Sequence, residues 1–192
     1  MIGRLASFVA TLALAAPLAL AQTSTWVPDK AHSEVNFSIL HLSLAQVRGR
    51  FGNIGGSIVW NEGDITKSKV NVTIDVTTVD TGVAPRDADL KSDHFFDVAQ
   101  FPTATFVSTS VSKSGGGLTV AGNLTLHGVT KPVVLQVEGP TGPVTGMDKK
   151  PHSGFSATTT VNRTDFGIGT KYPPSMIGDE VKLTIDLDMA KQ

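Results

Sequence analysis

The sequence predicts an all-β protein, an antiparallel up-and-down barrel of about eight strands. Apolar and polar residues alternate with period two in several stretches, most clearly in residues 70–76 and 181–189, and this is the pattern of a half-buried strand. Strands with one polar face are typical of antiparallel sheets that are solvated on one side. Short Gly-containing turns, at residues 115–117 and at His127-Gly128, indicate sequential hairpins. About eight such strands are enough to close a barrel, which removes the exposed sheet edges.

The individual elements follow from the same patterns. Gly55 and Gly56 predict a β-bulge inside one strand. Residues 86–96 contain few β-branched side chains and predict a short helical segment. Residues 139–153 and 163–178 are rich in Pro and Gly and predict two long connections, the first of them a mobile surface loop. The predicted strands cover residues 35–39, 51–60, 70–76, 105–111, 118–126, 131–137, 155–161 and 181–189.

Residues 1–21 predict a cleaved secretory signal peptide. Arg4 supplies a positive charge, an Ala- and Leu-rich run follows, and Ala19-Leu20-Ala21 matches a cleavage site. The apolar run is shorter than the ~20 residues that a membrane span requires. We therefore expect a secreted protein without stable membrane insertion, in which residues 22–192 form a single domain.

Composition excludes several classes of function. The net charge is -1 and charged residues make up 17% of the chain, so the basic stripe of a nucleic-acid-binding protein is missing. With no Cys, the chain has neither disulfides nor thiol catalysis nor a Cys-based metal site. The five His residues show no metal-ligand spacing, so we predict no metal and no other cofactor.

The polar motifs predict structural roles rather than catalytic ones. Asp29, His32 and Ser33 are too close in an extended chain to act as a catalytic triad, and we predict no catalytic residues and no enzyme activity. Arg163 and Asp165 flank a strand end, which favours a structural ion pair. The acidic and basic residues at 86–89 fit helix capping and the binding of a polar head group equally well.

The interior of the barrel is the remaining candidate site. Four of the nine Phe residues, at 37, 51, 106 and 155, fall at inward positions of predicted strands, and Phe95 and Phe96 follow the helical segment. An eight-stranded barrel is either filled by its own side chains or holds one small ligand. Periodicity alone leaves both alternatives open and slightly favours the filled core.

Seven motifs, in this order, resemble those of one bacterial family. They are WVPDKAHS at 26–33, FSILH at 37–41, VRGRF at 47–51, RDADLKSDHFFD at 86–97, FPTATF at 101–106, GNLTLHGVTKPV at 122–133 and NRTDFGI at 162–168. The sequence resembles the YceI family of periplasmic proteins, also called polyisoprenoid-binding proteins, over nearly all of residues 22–192.

The resemblance implies a lipocalin-like barrel with an elongated apolar cavity. It also implies a periplasmic carrier or sequestering protein for a polyisoprenoid or similar long-chain amphiphile, such as a polyprenyl phosphate, a quinone tail or a fatty amide. The partner would be a small-molecule lipid, and the protein a monomer or homodimer. Under this hypothesis His41, Arg86 and His94 are head-group or mouth contacts. The cavity lining would be Phe37, Ile39, Phe51, Val72, Ile74, Leu90, Phe95, Phe96, Phe106, Leu124 and Phe155.

Two other functions compete with this hypothesis. The first is an envelope stress-related protein-interaction module without a ligand. The second, less favoured, is an enzyme that acts on an isoprenoid lipid with His41 or His94 as a base, because a His near a cavity mouth titrates near neutral pH.

Overall fold

The computed structural model describes residues 22–192, so the predicted signal peptide lies outside the described residues. Within them the chain forms ten β-strands, and every strand pairing is antiparallel. Their bounds are β1 Thr23–Pro28, β2 Glu34–His41, β3 Ala45–Phe51, β4 Gly55–Asn61, β5 Lys69–Asp75, β6 Thr103–Ser114, β7 Gly117–Leu126, β8 Val129–Thr145, β9 Pro151–Asn162 and β10 Ile177–Lys191.

The strands close into an eight-stranded antiparallel barrel, as the sequence predicts. Neighbours pair in the order β1-β4-β5-β6-β7-β8-β9-β10, and β10 pairs with β1 to complete the circle. The same edge of β10 also pairs with β2, whose other edge pairs with β3. β1 and β2 are therefore the two halves of one interrupted barrel strand, and β3 and β4 are the two halves of the next. Strands that follow one another along the chain are neighbours in the barrel, which is the up-and-down arrangement.

The sequence did not predict two of the strand halves, and it placed one predicted β-bulge wrongly. β1 and most of β3 are not among the predicted strands. In β3 the inward positions include Gly49, which weakens the apolar alternation. The bulge predicted at Gly55-Gly56 is wrong, because β4 pairs with β5 there in continuous register. The interruption falls instead at residues 52–54, between β3 and β4.

One α-helix, α1, covers Ala84–Lys91, and short 3₁₀ turns cover Ile65–Lys67, Val76–Thr78 and Arg163–Phe166. The predicted helical segment is confirmed in place but ends earlier than residue 96. The Ser92 backbone N–H and hydroxyl both donate to the Asp89 carbonyl, at 3.0 and 2.7 Å, which ends the helix. Among residues 22–192, no helix has the length and apolar character needed to cross a membrane.

The two ends of the barrel differ in structure. The α1 end carries the β2–β3 turn, α1, the β7–β8 turn and the 163–176 segment. The hairpin end carries the β8–β9 turn and both termini of the described chain. At the α1 end, β3 pairs with β2, and its other edge makes a single bridge among the described residues, between Arg50 and Asp80. The wall of the barrel is therefore incomplete between β3 and α1.

The mobile loop predicted at residues 139–153 is wrong. β8 runs on to Thr145 and β9 begins at Pro151, so most of this segment is a β-hairpin that continues the barrel wall. Two register shifts, between Glu138 and Thr141 and between Thr141 and Val144, fit the Gly- and Pro-rich sequence into the ladder. Bulges of this kind allow Pro within a strand because they leave ladder positions unpaired.

The segment at 163–178 packs on the barrel around one buried side chain. Arg163 is only 4% exposed, and its guanidinium donates to five backbone carbonyls. Nε donates to Gly178 at 3.0 Å, Nη1 to Ile168 and Gly169 at 2.9 and 2.6 Å, and Nη2 to Tyr172 and Ile177 at 2.7 and 2.9 Å. The ion pair predicted with Asp165 is therefore wrong, because these carbonyls occupy all the guanidinium donors.

His152 anchors the hairpin to the rest of the barrel. Its Nδ1 lies 2.6 Å from Asp188 Oδ1 on β10, and its Nε2 lies 3.1 Å from Asp148 Oδ1 in the β8–β9 turn. Both ring nitrogens donate only in the protonated imidazole. The hydrogen bond to Asp188, helped by Asp148, raises the pKa of His152 above its usual value despite partial burial.

This cluster predicts a pH-dependent stability. A raised pKa in the folded state stabilises the protein fully below the ordinary His pKa of 6.5, and this stabilisation is lost as the pH rises through the folded-state value. Urea unfolding midpoints measured across this range should therefore fall with rising pH. His152→Gln should remove most of that slope, whereas His41→Gln, at the other end of the barrel, should keep it. Equal slopes in wild type and His152→Gln would contradict the assignment.

Candidate ligand-binding cavity

The α1 end of the barrel encloses a cavity of about 280 Å³. Its walls come from β2, β3, β5, β6, β7, β9 and β10, and α1 and the 163–168 segment cover it. Most lining side chains are aliphatic or aromatic, and the exposed residues His41 and Asp89 mark where it opens to solvent. The volume is near the lower end of the ~300–1,000 Å³ of small-molecule sites.

A second apolar cavity of about 110 Å³ continues the first toward the hairpin end. The two cavities share Val35, Ile74, Leu124 and Leu183 as lining residues. They therefore adjoin one another along the barrel axis. This elongated shape suits an extended chain better than a compact ring system.

All eleven residues predicted to line a cavity line at least one of these two cavities. The first cavity contains Phe37, Ile39, Phe51, Leu90, Phe95 and Phe96. The second contains Val72, Phe106 and Phe155, and Ile74 and Leu124 belong to both. Their contact with a ligand stays a prediction. Other lining positions, such as Val181 and Leu183 on β10, were missed although the period-two alternation of that strand marks them.

Aromatic side chains shape the first cavity. The ring centroids of Phe37 and Phe51 lie 5.4 Å apart, as do those of Phe51 and Phe96. Gly49 permits this arrangement, because a Cβ there would overlap the Phe37 ring. Gly122 does the same for Phe106. A glycine at an inward strand position leaves room for a Phe ring from the neighbouring strand.

The predicted mouth residues do not all face the cavity. His41 and Arg86 belong to its lining, together with Asp89, whereas His94 does not. Arg86 Nε donates to the Thr81 hydroxyl at 2.7 Å. His94 Nδ1 lies 2.9 Å from Asp89 Oδ1 on the exposed side of α1. Arg86 and Asp89 thus hydrogen-bond to neighbouring segments, and His41 and Asp89 are exposed polar lining residues at the opening.

Among the described residues, the interior of the cavity has no unsatisfied buried polar side chain. Within residues 22–192, every buried side-chain nitrogen and oxygen has a hydrogen-bond partner. Arg163, the buried charged residue in the segment that covers the cavity, already donates all its guanidinium hydrogen bonds to backbone carbonyls, as described above. Burial of apolar surface is what favours binding of a ligand here. Any polar head group that the ligand carries belongs at the opening.

One group of side chains elsewhere has the composition of a metal site. Asp29, His152 and Asp188 offer ligand atoms that lie within 4.8 Å of one another at the hairpin end. Both nitrogens of His152 already bond to carboxylates, and metal binding requires a neutral imidazole with a free nitrogen. We interpret the group as an ion-pair cluster; the prediction that the protein uses no metal stays a prediction.

Fold and site together define a class: an up-and-down β-barrel with an elongated apolar cavity that opens at one end. A family model described as the YceI-like domain matches residues 26–189. The curated protein YceI of Salmonella newport strain SL254 is 41% identical over 165 residues, which cover 84% of this chain and 83% of that protein. The chain belongs to the YceI family, as the sequence motifs predict.

Solved structures share this fold. The Campylobacter jejuni YCEI protein superposes with a TM-score of 0.70 at 29% identity, over 80% of this chain and 90% of that one. BcnA of Burkholderia cenocepacia gives a TM-score of 0.72 at 24% identity, over 84% and 98% of the two chains. A polyisoprenoid-binding domain from Saccharophagus degradans gives 0.62 at 17% identity, over 89% and 100%.

Proposed function

We propose that this protein binds a polyisoprenoid or a similar long-chain amphiphile in the barrel cavity. The observation that carries the proposal is the apolar, elongated cavity whose polar residues lie at its opening. A polyprenyl phosphate, a quinone tail or a fatty amide has the matching form, with one long apolar chain and one polar end. The family relation and the fold shared with a polyisoprenoid-binding domain support the proposal.

Burial of methylene groups supplies the affinity. Each buried CH₂ contributes ~0.8 kcal/mol, so about ten such groups give ~8 kcal/mol, which corresponds to micromolar affinity before association costs are subtracted. Because the interior has no free polar partner, chain length and shape should govern selection more than the head group does.

The role that fits this site is that of a periplasmic carrier or sequestering protein rather than an enzyme. The predicted signal peptide supports export. The partly enclosed cavity keeps an apolar chain out of water, as a carrier must do. The cavity interior offers no nucleophile with an adjacent base, an arrangement that covalent catalysis requires.

Solvent extraction followed by mass spectrometry tests the proposal directly. The protein is purified without detergent, extracted with organic solvent, and the extract is analysed by mass spectrometry. Protein denatured and refolded before extraction serves as the blank. We expect a co-purifying amphiphile, or stoichiometric uptake of added geranylgeraniol or ubiquinone. If neither is found, the proposal is wrong.

A further inference from the structure

Exposed apolar side chains lie beside the opening of the cavity. Leu44 is 83% exposed, and Leu42 and Met176 are also exposed. All three lie at the α1 end, on the β2–β3 turn and at the end of the 163–176 segment. We call these three residues the apolar tip. Exposed apolar groups collected at one functional opening are typical of an interaction site.

The backbone holds this tip in place. Leu42 and Ser43 adopt left-handed φ angles of 51° and 57°, which is uncommon for residues other than Gly. The Leu42 N–H donates to the Met176 carbonyl at 2.8 Å, and the Leu44 N–H donates to the His41 carbonyl at 3.0 Å. The turn is thereby joined to the 163–176 segment, and it presents the Leu44 side chain to solvent.

The tip is continuous with the cavity. Leu40, His41 and Val47, on either side of the β2–β3 turn, line the cavity, and so does Ile177, which follows Met176. The incomplete wall between β3 and α1 lies beside them, with Val47 on one side and Leu90 on the other. An apolar chain that leaves the cavity at this opening would meet the tip before it met open solvent.

Charged residues flank the tip in a way that suits a lipid surface. Arg48 and Lys171 are exposed, four residues after Leu44 and five before Met176 along the chain. Lys and Arg beside an apolar insertion place their aliphatic stems along it and their charges at the head-group level. The acidic residues Asp89 and Asp93 lie on or just after α1, on the other side of the opening.

We propose that the apolar tip inserts into the surface of a lipid bilayer, so that the cavity opening lies against the membrane and an amphiphile passes directly between the two. The inference rests on the proposed function, because it assigns the place where the ligand enters and leaves. Dimerisation of two copies through the same tip is the competing use of this surface.

Vesicle flotation tests the tip with a matched control. The probe is a vesicle of phosphatidylethanolamine and phosphatidylglycerol, and the variants are Leu44→Asp and Met147→Asp. Met147 is fully exposed but lies in the β8–β9 turn, at the opposite end of the barrel. We expect wild type and Met147→Asp to float with vesicles and Leu44→Asp to bind about tenfold more weakly or worse, because a Leu side chain no longer enters the acyl region. Binding through apolar insertion should persist at high salt.

The outcomes separate this inference from the proposed function. Uptake of geranylgeraniol from solution, without vesicles, should be equal in Leu44→Asp and wild type, since the cavity is intact. Wild-type protein that takes up geranylgeraniol but does not float overturns the tip inference and leaves the proposed function standing. Equal flotation of wild type and Leu44→Asp also overturns it, as does dimerisation that Leu44→Asp abolishes without any binding to vesicles.

Discussion

Replacing Arg163 by Met is expected to lower the free energy of unfolding by roughly 3–5 kcal/mol. The substitution keeps much of the apolar stem but removes all five hydrogen bonds to backbone carbonyls of residues 168–178. Several of these carbonyls would then be buried without a donor, at a cost of about 1–3 kcal/mol each where water cannot enter. In a domain of this size the loss corresponds to a fall of about 10 °C in Tm, measured by circular dichroism.

Arg50→Met provides the control, because it makes the same chemical change on the surface. Arg50 pairs with Glu34 and Asp80 at 3.5 and 3.3 Å, with all three side chains well exposed. Exposed ion pairs contribute ~0–1 kcal/mol, so Arg50→Met should cost less than about 1 kcal/mol. Similar losses of unfolding free energy in the two variants would show that the hydrogen bonds from Arg163 to these carbonyls do not stabilise the 163–178 segment.

Replacing Ala104 by Trp is expected to abolish most ligand binding while the barrel remains folded. Ala104 lies on β6, is 3% exposed and faces the first cavity. An indole ring there takes the place of about four methylene groups of a bound chain, and at ~0.8 kcal/mol each this is a loss of ~3 kcal/mol, or more than about 100-fold in affinity. Titration with geranylgeraniol, followed by intrinsic fluorescence or calorimetry, measures the change.

Val107→Trp is the matched control for this prediction. Val107 lies three positions further along the same strand, so its side chain points outward, and it is 46% exposed. This variant should bind the probe as wild type does. Circular dichroism distinguishes a blocked cavity from a collapsed barrel, since overpacking a core costs ~1–3 kcal/mol. A folded Ala104→Trp protein with wild-type affinity would place the ligand outside the cavity.

The sequence predicted the barrel and much of the cavity wall because both depend on local periodicity. In β5 and β10, side chains alternate between the interior and solvent, so a period-two pattern identifies the inward residues without knowledge of strand pairing. The turns at Gly115-Gly116 and His127-Gly128 were predicted for a similar reason, since left-handed φ angles there favour a short list of residue types. The family motifs added what periodicity left open, the choice between a filled and a hollow interior.

The errors arise where distant contacts override local signals. Pro and Gly at 139–153 indicated a loop, but pairing with β9 and the contact from His152 to Asp188 on β10 hold this segment as a hairpin. Asp165, two residues after Arg163, indicated an ion pair. In the structure, residues 168–178 fold over the guanidinium, and their backbone carbonyls accept its hydrogen bonds.

By itself, the sequence determined the fold class, the inward face of most strands and the family. Only the tertiary structure decided that the interior keeps a cavity of about 280 Å³, that the wall is incomplete between β3 and α1, and that exposed apolar residues collect at that opening. The physical reason is that a cavity and an opening are volumes left between elements far apart in the chain. Their size depends on ring packing such as that of Phe37 over Gly49, which no local pattern records.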